Sequence, residues 1–144
     1  METGIQLTWD HPTLLVVTTL GQPSEAQFDA YLHEMAESLY WEDTHPRIVV
    51  HDTRYGGQVS AAQRKQQADF LRDHWDRLRE LTLGTVFVTE SPLIRGMLTA
   101  ILWFQRLPSP HFVTGTMAAA LDWGESRLKE RGFALPKGAR GRYT

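Results

Sequence analysis

The chain has no cysteine, and lysine is scarce, with three against twelve arginines. Without cysteine there are no disulfides, no thiol nucleophile and no cysteine zinc site, which suits a reducing compartment. No apolar run approaches the ~20 residues that a transmembrane helix needs, so no membrane span is expected. Charge of one sign is not in excess. The formal net charge is -2 and the pI about 6.3, which leaves no basic footprint for nucleic acid. The opening Met1-Glu2-Thr3-Gly4 is acidic and has neither a basic stretch nor an apolar core, so it predicts no signal peptide and a cytoplasmic location.

What remains is ordinary globular composition. The 144 residues are 42% hydrophobic and 22% charged, which fits one domain with its own core. The six histidines include no pair at His-x-x-x-His spacing and no His-Glu-x-x-His. No metal site and no cofactor are therefore expected. His51 and Asp52 are adjacent in a predicted strand, so their side chains point to opposite faces and cannot form a dyad. There is no Gly-x-Ser-x-Gly elbow, and a non-catalytic protein is the expectation.

Hydrophobic periodicity orders the chain. Gly4 to Trp9 alternates, Asp10-His11-Pro12-Thr13 has turn chemistry, and Leu14 to Leu20 is nearly continuous and apolar. That reads as a hairpin leading into a buried strand. Ser24 with Gln27, and Ser60 with Gln63, have the spacing of capping boxes. Ser91-Pro92 opens a third helix and Thr116 a fourth. Helices are predicted at about 24–41, 60–80, 91–106 and 117–131. In the second, Ala68, Leu71, Trp75 and Leu78 make the expected buried stripe. Ile48-Val49-Val50, Thr85-Val86-Phe87-Val88 and His111-Phe112-Val113 are the remaining strands. The order ββαβαβαβα predicts an α/β fold, with a mixed five-stranded sheet that is mainly parallel and has an N-terminal hairpin. Residues 1–133 form the expected domain. Residues 134–144, basic through Lys137, Arg140 and Arg142, form an expected flexible tail.

The element order over about residues 5–131 resembles the STAS-like fold. Local wording adds to this: Ile48-Val49-Val50-His51-Asp52, Ser60-Ala61-Ala62-Gln63-Arg64, Gly84-Thr85-Val86-Phe87-Val88 with Ser91 to Gly96, and Ala100-Ile101-Leu102-Trp103. Together these stretches resemble the uncharacterised bacterial SpoIIAA-like proteins. The resemblance implies a small regulatory domain that binds a protein partner or, in some relatives, a nucleotide or lipid. In signalling STAS domains a serine or threonine opening the second helix is phosphorylated by a partner kinase. Ser60 matches that position. Val59 stands where an acidic residue is usual, and Ala61-Ala62 where a small-Gly pair is usual. These departures favour a plain helix cap at Ser60 over a phosphosite.

Two surfaces are candidates for binding. The ends of the parallel strands would gather Asp52, Arg54, Tyr55, Ser60, Ser91 and Arg95, with three helix N-termini nearby. Such an edge suits an anionic ligand, and the competing reading is that Asp52 and Arg95 pair to fix the loops. An enzyme with Asp52 as general base and Arg95 steadying an anion is the third alternative. The other surface is the third helix. Ile94, Leu98, Ile101 and Leu102 make one apolar face, while Leu93, Met97, Ala100 and Phe104 make a second, with Trp103 at the perimeter. A helix apolar nearly all round is buried on two sides. Leu93, Met97, Trp103 and Phe104 are therefore expected at a protein–protein contact, most simply a homodimer. The competing reading is that the last helix and Trp123 cover the second face.

Overall fold

The computed structural model describes residues 2–57 and 59–144, without the side chain of Phe104. The hairpin forms where the alternation and turn residues place it. Strand β1 (Gly4–Asp10) runs antiparallel to β2 (Leu14–Gly21), with Gly4 opposite Leu20 and Asp10 opposite Leu14. The parallel strands β3 (Arg47–Gly56), β4 (Thr82–Val88) and β5 (His111–Thr114) follow. The sheet order is β1-β2-β3-β4-β5. This is the mixed five-stranded sheet that the pattern predicts.

The helices are α1 (Glu25–Ser38), α2 (Ala61–Asp73), α3 (Trp75–Leu81), α4 (Pro92–Phe104), α5 (Met117–Glu130) and α6 (Ala139–Tyr143). Because strand side chains alternate, the sheet has two apolar faces. Leu14, Val16, Ile48, Val50, Val86 and Val88 form one core with α5 and α6. Leu15, Val17 and Val49 form the other with α1, α2 and α3.

Capping chemistry starts the helices as the sequence suggests. Ser24 and Ser60 each complete a capping box, and the hydroxyls of Ser91 and Thr116 accept from Ile94 N and Ala119 N. The Ser60 hydroxyl accepts from Gln63 N at 3.0 Å, and the Gln63 amide reaches on to the Pro23 carbonyl at 3.0 Å. The Ser60→Ala variant is expected to lose about 1 kcal/mol of stability. Chemical denaturation checks this, and a loss near zero would show the cap to be dispensable.

Three details differ from the sequence reading. The helix expected at 60–80 is broken at His74 (φ -118°, ψ 20°) into α2 and α3. Phe70 and Leu78, eight residues apart, would sit about 80° apart on a straight helix. The break lets both join the same core. The buried stripe is also shifted. Ala68 is exposed and Leu71 and Trp75 are only half-buried, while Gln63, Phe70, Leu78 and Leu81 are buried. Finally, the tail carries α6 where a flexible segment is expected. Ala139 is buried, and Arg142 pairs with Asp10. Arg140 bridges Asp122 and Glu125, and Thr13 donates to the Ala134 carbonyl at 2.7 Å. Arg140 and Arg142 of the tail thus meet acids on α5 and at the end of β1.

Candidate functional site

At the carboxyl ends of the parallel strands the polar residues mostly bind one another. Asp52 is buried, and it pairs with Arg54 rather than with Arg95. Both its carboxylate oxygens accept from the Arg54 guanidinium at 2.9 Å, and one also accepts from Arg54 N. Asp52 and Arg54 are two residues apart on β3, where the register with β2 shifts, and the guanidinium reaches back to the carboxylate. The hydrogen bond that Arg54 donates to Asp52 raises the Arg54 pKa above its ordinary value. Arg95 instead donates to the carbonyls of Thr89 and Glu90, and its guanidinium packs against Gly115. The expected Asp52–Arg95 pair is thus replaced by two separate local contacts.

Ser60 and Ser91 hold their hydroxyls in capping bonds. Tyr55 is exposed, with the Arg54 guanidinium over its ring at 5.2 Å. An open groove of about 760 Å³ does lie at this edge, lined in part by Arg54, Thr89, Glu90 and Ser91. Of the six predicted ligand residues it gathers Arg54 and Ser91, and not Asp52, Tyr55, Ser60 or Arg95. Among the described residues, no cluster of three His, Asp or Glu side chains could hold a metal ion. No helix among them is long and apolar enough to cross a membrane.

Helix α4 is the unusual element. Leu93 is 72% exposed, Met97 52% and Trp103 82%. The fourth predicted contact residue, Phe104, has its side chain outside the described residues. Ile94 and Ile101, which the sequence assigns to the inward face, are 40% and 50% exposed as well. Among the described apolar side chains of α4, only Leu98, half-buried, and Leu102, buried, turn inward. Helix α5 does not cover α4. It packs on the opposite face of the sheet, where Trp123 stacks on Phe112 at 5.8 Å. α4 leans on the short edge strand β5 instead.

Because α4 sits over the edge, the floor between it and α2 is left partly open. A cavity of about 260 Å³ lies there, lined by His51 and Thr53 of β3, Thr85 and Phe87 of β4, and Leu98 and Leu102 of α4, among others. His51 stacks on Phe87 with ring centres 5.0 Å apart and planes 12° apart. Burial pushes the His51 pKa down to about 4 and leaves the ring neutral at pH 7. In the sequence His51 offers no metal-ligand spacing and no dyad with Asp52, and its place in a cavity is not apparent. The unmet signal was a polar ring at an inward strand position, two residues after Val49, which is buried.

Neither a protein-family model nor a curated protein matches the sequence. Solved structures do share its fold. One is an uncharacterised DUF3478-family protein with a SpoIIAA-like fold from Shewanella loihica PV-4. It is 13% identical with a TM-score of 0.67, over 86% of this chain and 96% of that one. Another is the anti-sigma factor antagonist SpoIIAA in its unphosphorylated form. It is also 13% identical, with a TM-score of 0.57 over 91% of this chain and 99% of that one. The chain therefore has a SpoIIAA-like, STAS-type α/β fold. At this identity the likeness concerns the fold.

Proposed function

We propose that this protein is a non-catalytic, STAS-like regulatory module that works by protein–protein contact and self-associates through α4. The observation that carries the reading is the apolar surface of α4. Five large hydrophobic side chains of one helix, Leu93, Ile94, Met97, Ile101 and Trp103, stand at least 40% exposed. A contiguous patch of this kind on a small domain marks an interaction surface. Arg95 is the single charged residue between Pro92 and Phe104, so two copies can bring these helices together with little charge repulsion. A two-fold pairing is the simplest closed arrangement.

The internal engagement of Asp52, Ser60, Ser91 and Arg95 supports a role without catalysis. The structural neighbour SpoIIAA, an anti-sigma factor antagonist, adds support for a regulatory role. Ser60 belongs to this reading as a cap rather than a phosphate acceptor. Light scattering over a dilution series tests the proposal. The mass is expected to rise from 16.5 kDa to twice that value as concentration increases. A mass that stays at the single-chain value throughout would remove self-association from the account.

A further inference from the structure

We infer that the cavity between α4 and the β3–β4 floor is a binding site for a small, uncharged, cyclic apolar molecule that carries one hydrogen-bonding group. Its volume, about 260 Å³, exceeds the roughly 150 Å³ that suffices for a benzene ring in a dry apolar cavity. One to two fused rings fit. The half-buried Val59, Gln67, Leu71 and Leu98 make its rim, so a ligand enters beside α4.

The lining selects against charge. Among the described residues that line the cavity there is no Asp, Glu, Lys or Arg. A carboxylate or phosphate placed inside would lose its water and gain no counter-ion. This separates the cavity from the arginine-bearing groove at the strand ends, and it favours a neutral occupant over an anionic one.

The polar handle is His51. It makes no side-chain hydrogen bond to any described residue, whereas Thr53 and Thr85 beside it are engaged with the Val88 carbonyl and the Ser109 hydroxyl. A neutral imidazole offers one donor and one acceptor. The ring is half-buried, and a ligand that bonds these groups in place of water is favoured once the cavity closes over it. The stacked rings of His51 and Phe87 form a flat apolar wall, against which a second flat ring packs edge-on or offset. Leu98 and Leu102 line the same cavity from α4. The outer face of α4 is not involved, so the site is independent of self-association.

Calorimetric titration with 1-naphthol, which is neutral at pH 7, and with 1-naphthoate, its anionic counterpart, tests the proposal. Saturable one-to-one binding of 1-naphthol is expected, with 1-naphthoate at least about tenfold weaker, the equivalent of one lost hydrogen bond or more. Leu98→Trp and Val59→Trp, which fill the cavity from two of its lining positions, are each expected to weaken 1-naphthol at least about tenfold. Circular dichroism checks that each variant is folded, and either folded variant decides. His51→Phe is expected to weaken 1-naphthol about tenfold while leaving naphthalene within about twofold. Absence of saturable 1-naphthol binding, equal binding of 1-naphthoate, or undiminished binding in a folded, filled variant would overturn the assignment.

Discussion

Gly56→Ala is expected to destabilise the protein by about 3 kcal/mol, at the upper end of what overpacking costs. Gly56 pairs with Gly21 across β2 and β3, and Gly57 N donates to the Gly21 carbonyl at 3.2 Å. A Cβ on Gly56 would lie 2.3 Å from Gly21 N, 2.4 Å from Gly21 O and 2.8 Å from the Leu20 carbonyl carbon. Those are backbone atoms, which no rotamer change can move, so the two strands must part at their ends. Gly96→Ala is the matched control. A Cβ there meets nothing within 4 Å, and alanine in a helix interior gains about 1 kcal/mol over glycine. Urea denaturation of both variants is the measurement. A Gly56→Ala protein as stable as wild type would show that the strand ends separate freely.

Acidification is expected to weaken the fold through His51. Its pKa is about 4 in the folded chain, pushed down by burial, against an ordinary value of 6.5. Between these values the unfolded chain binds the proton and the folded chain does not, so stability falls as pH falls. The contribution is complete above pH 6.5 and is lost progressively down to about pH 4. At 1.36 kcal/mol per unit, the loss by pH 4.5 is about 2–3 kcal/mol. Tyr31 of α1 is the other strongly shifted group on this cavity, and burial raises its pKa, so it stays neutral throughout. The His51→Phe variant isolates this contribution from the rest of the chain. The variant is expected to lose about 2–3 kcal/mol less than wild type between pH 7 and 4.5. Equal losses in the two proteins would place the acid sensitivity elsewhere.

Local chemistry explains what was legible in the sequence. The hairpin, the parallel strands and the starts of four helices rest on alternation, turn residues and caps, and each acts within a few residues. The exposed apolar face of α4 was legible too, because a helix with one charge cannot hide all its side chains against one sheet. Features set by distant partners were not. The docked tail depends on Arg142 meeting Asp10, 132 residues away. The cavity depends on α4 leaning on β5, so that a gap opens over β3 and β4. The Asp52–Arg54 pair was within reach, since the two residues are close in sequence and of opposite charge. Proximity of the strand ends had suggested Arg95 instead.

The outer face of α4 carries the functional account, and sedimentation equilibrium of wild type beside a Met97→Glu, Trp103→Glu double variant tests it most directly. Both side chains are at least half exposed, so the substitutions cost the isolated fold little. Burying a glutamate pair from each copy, by contrast, disrupts an apolar contact. The account predicts a wild-type dimer and a double variant that is monomeric, with an unchanged circular dichroism spectrum. A wild type that stays monomeric at the highest concentration reached, or a folded double variant that still dimerises, would contradict it.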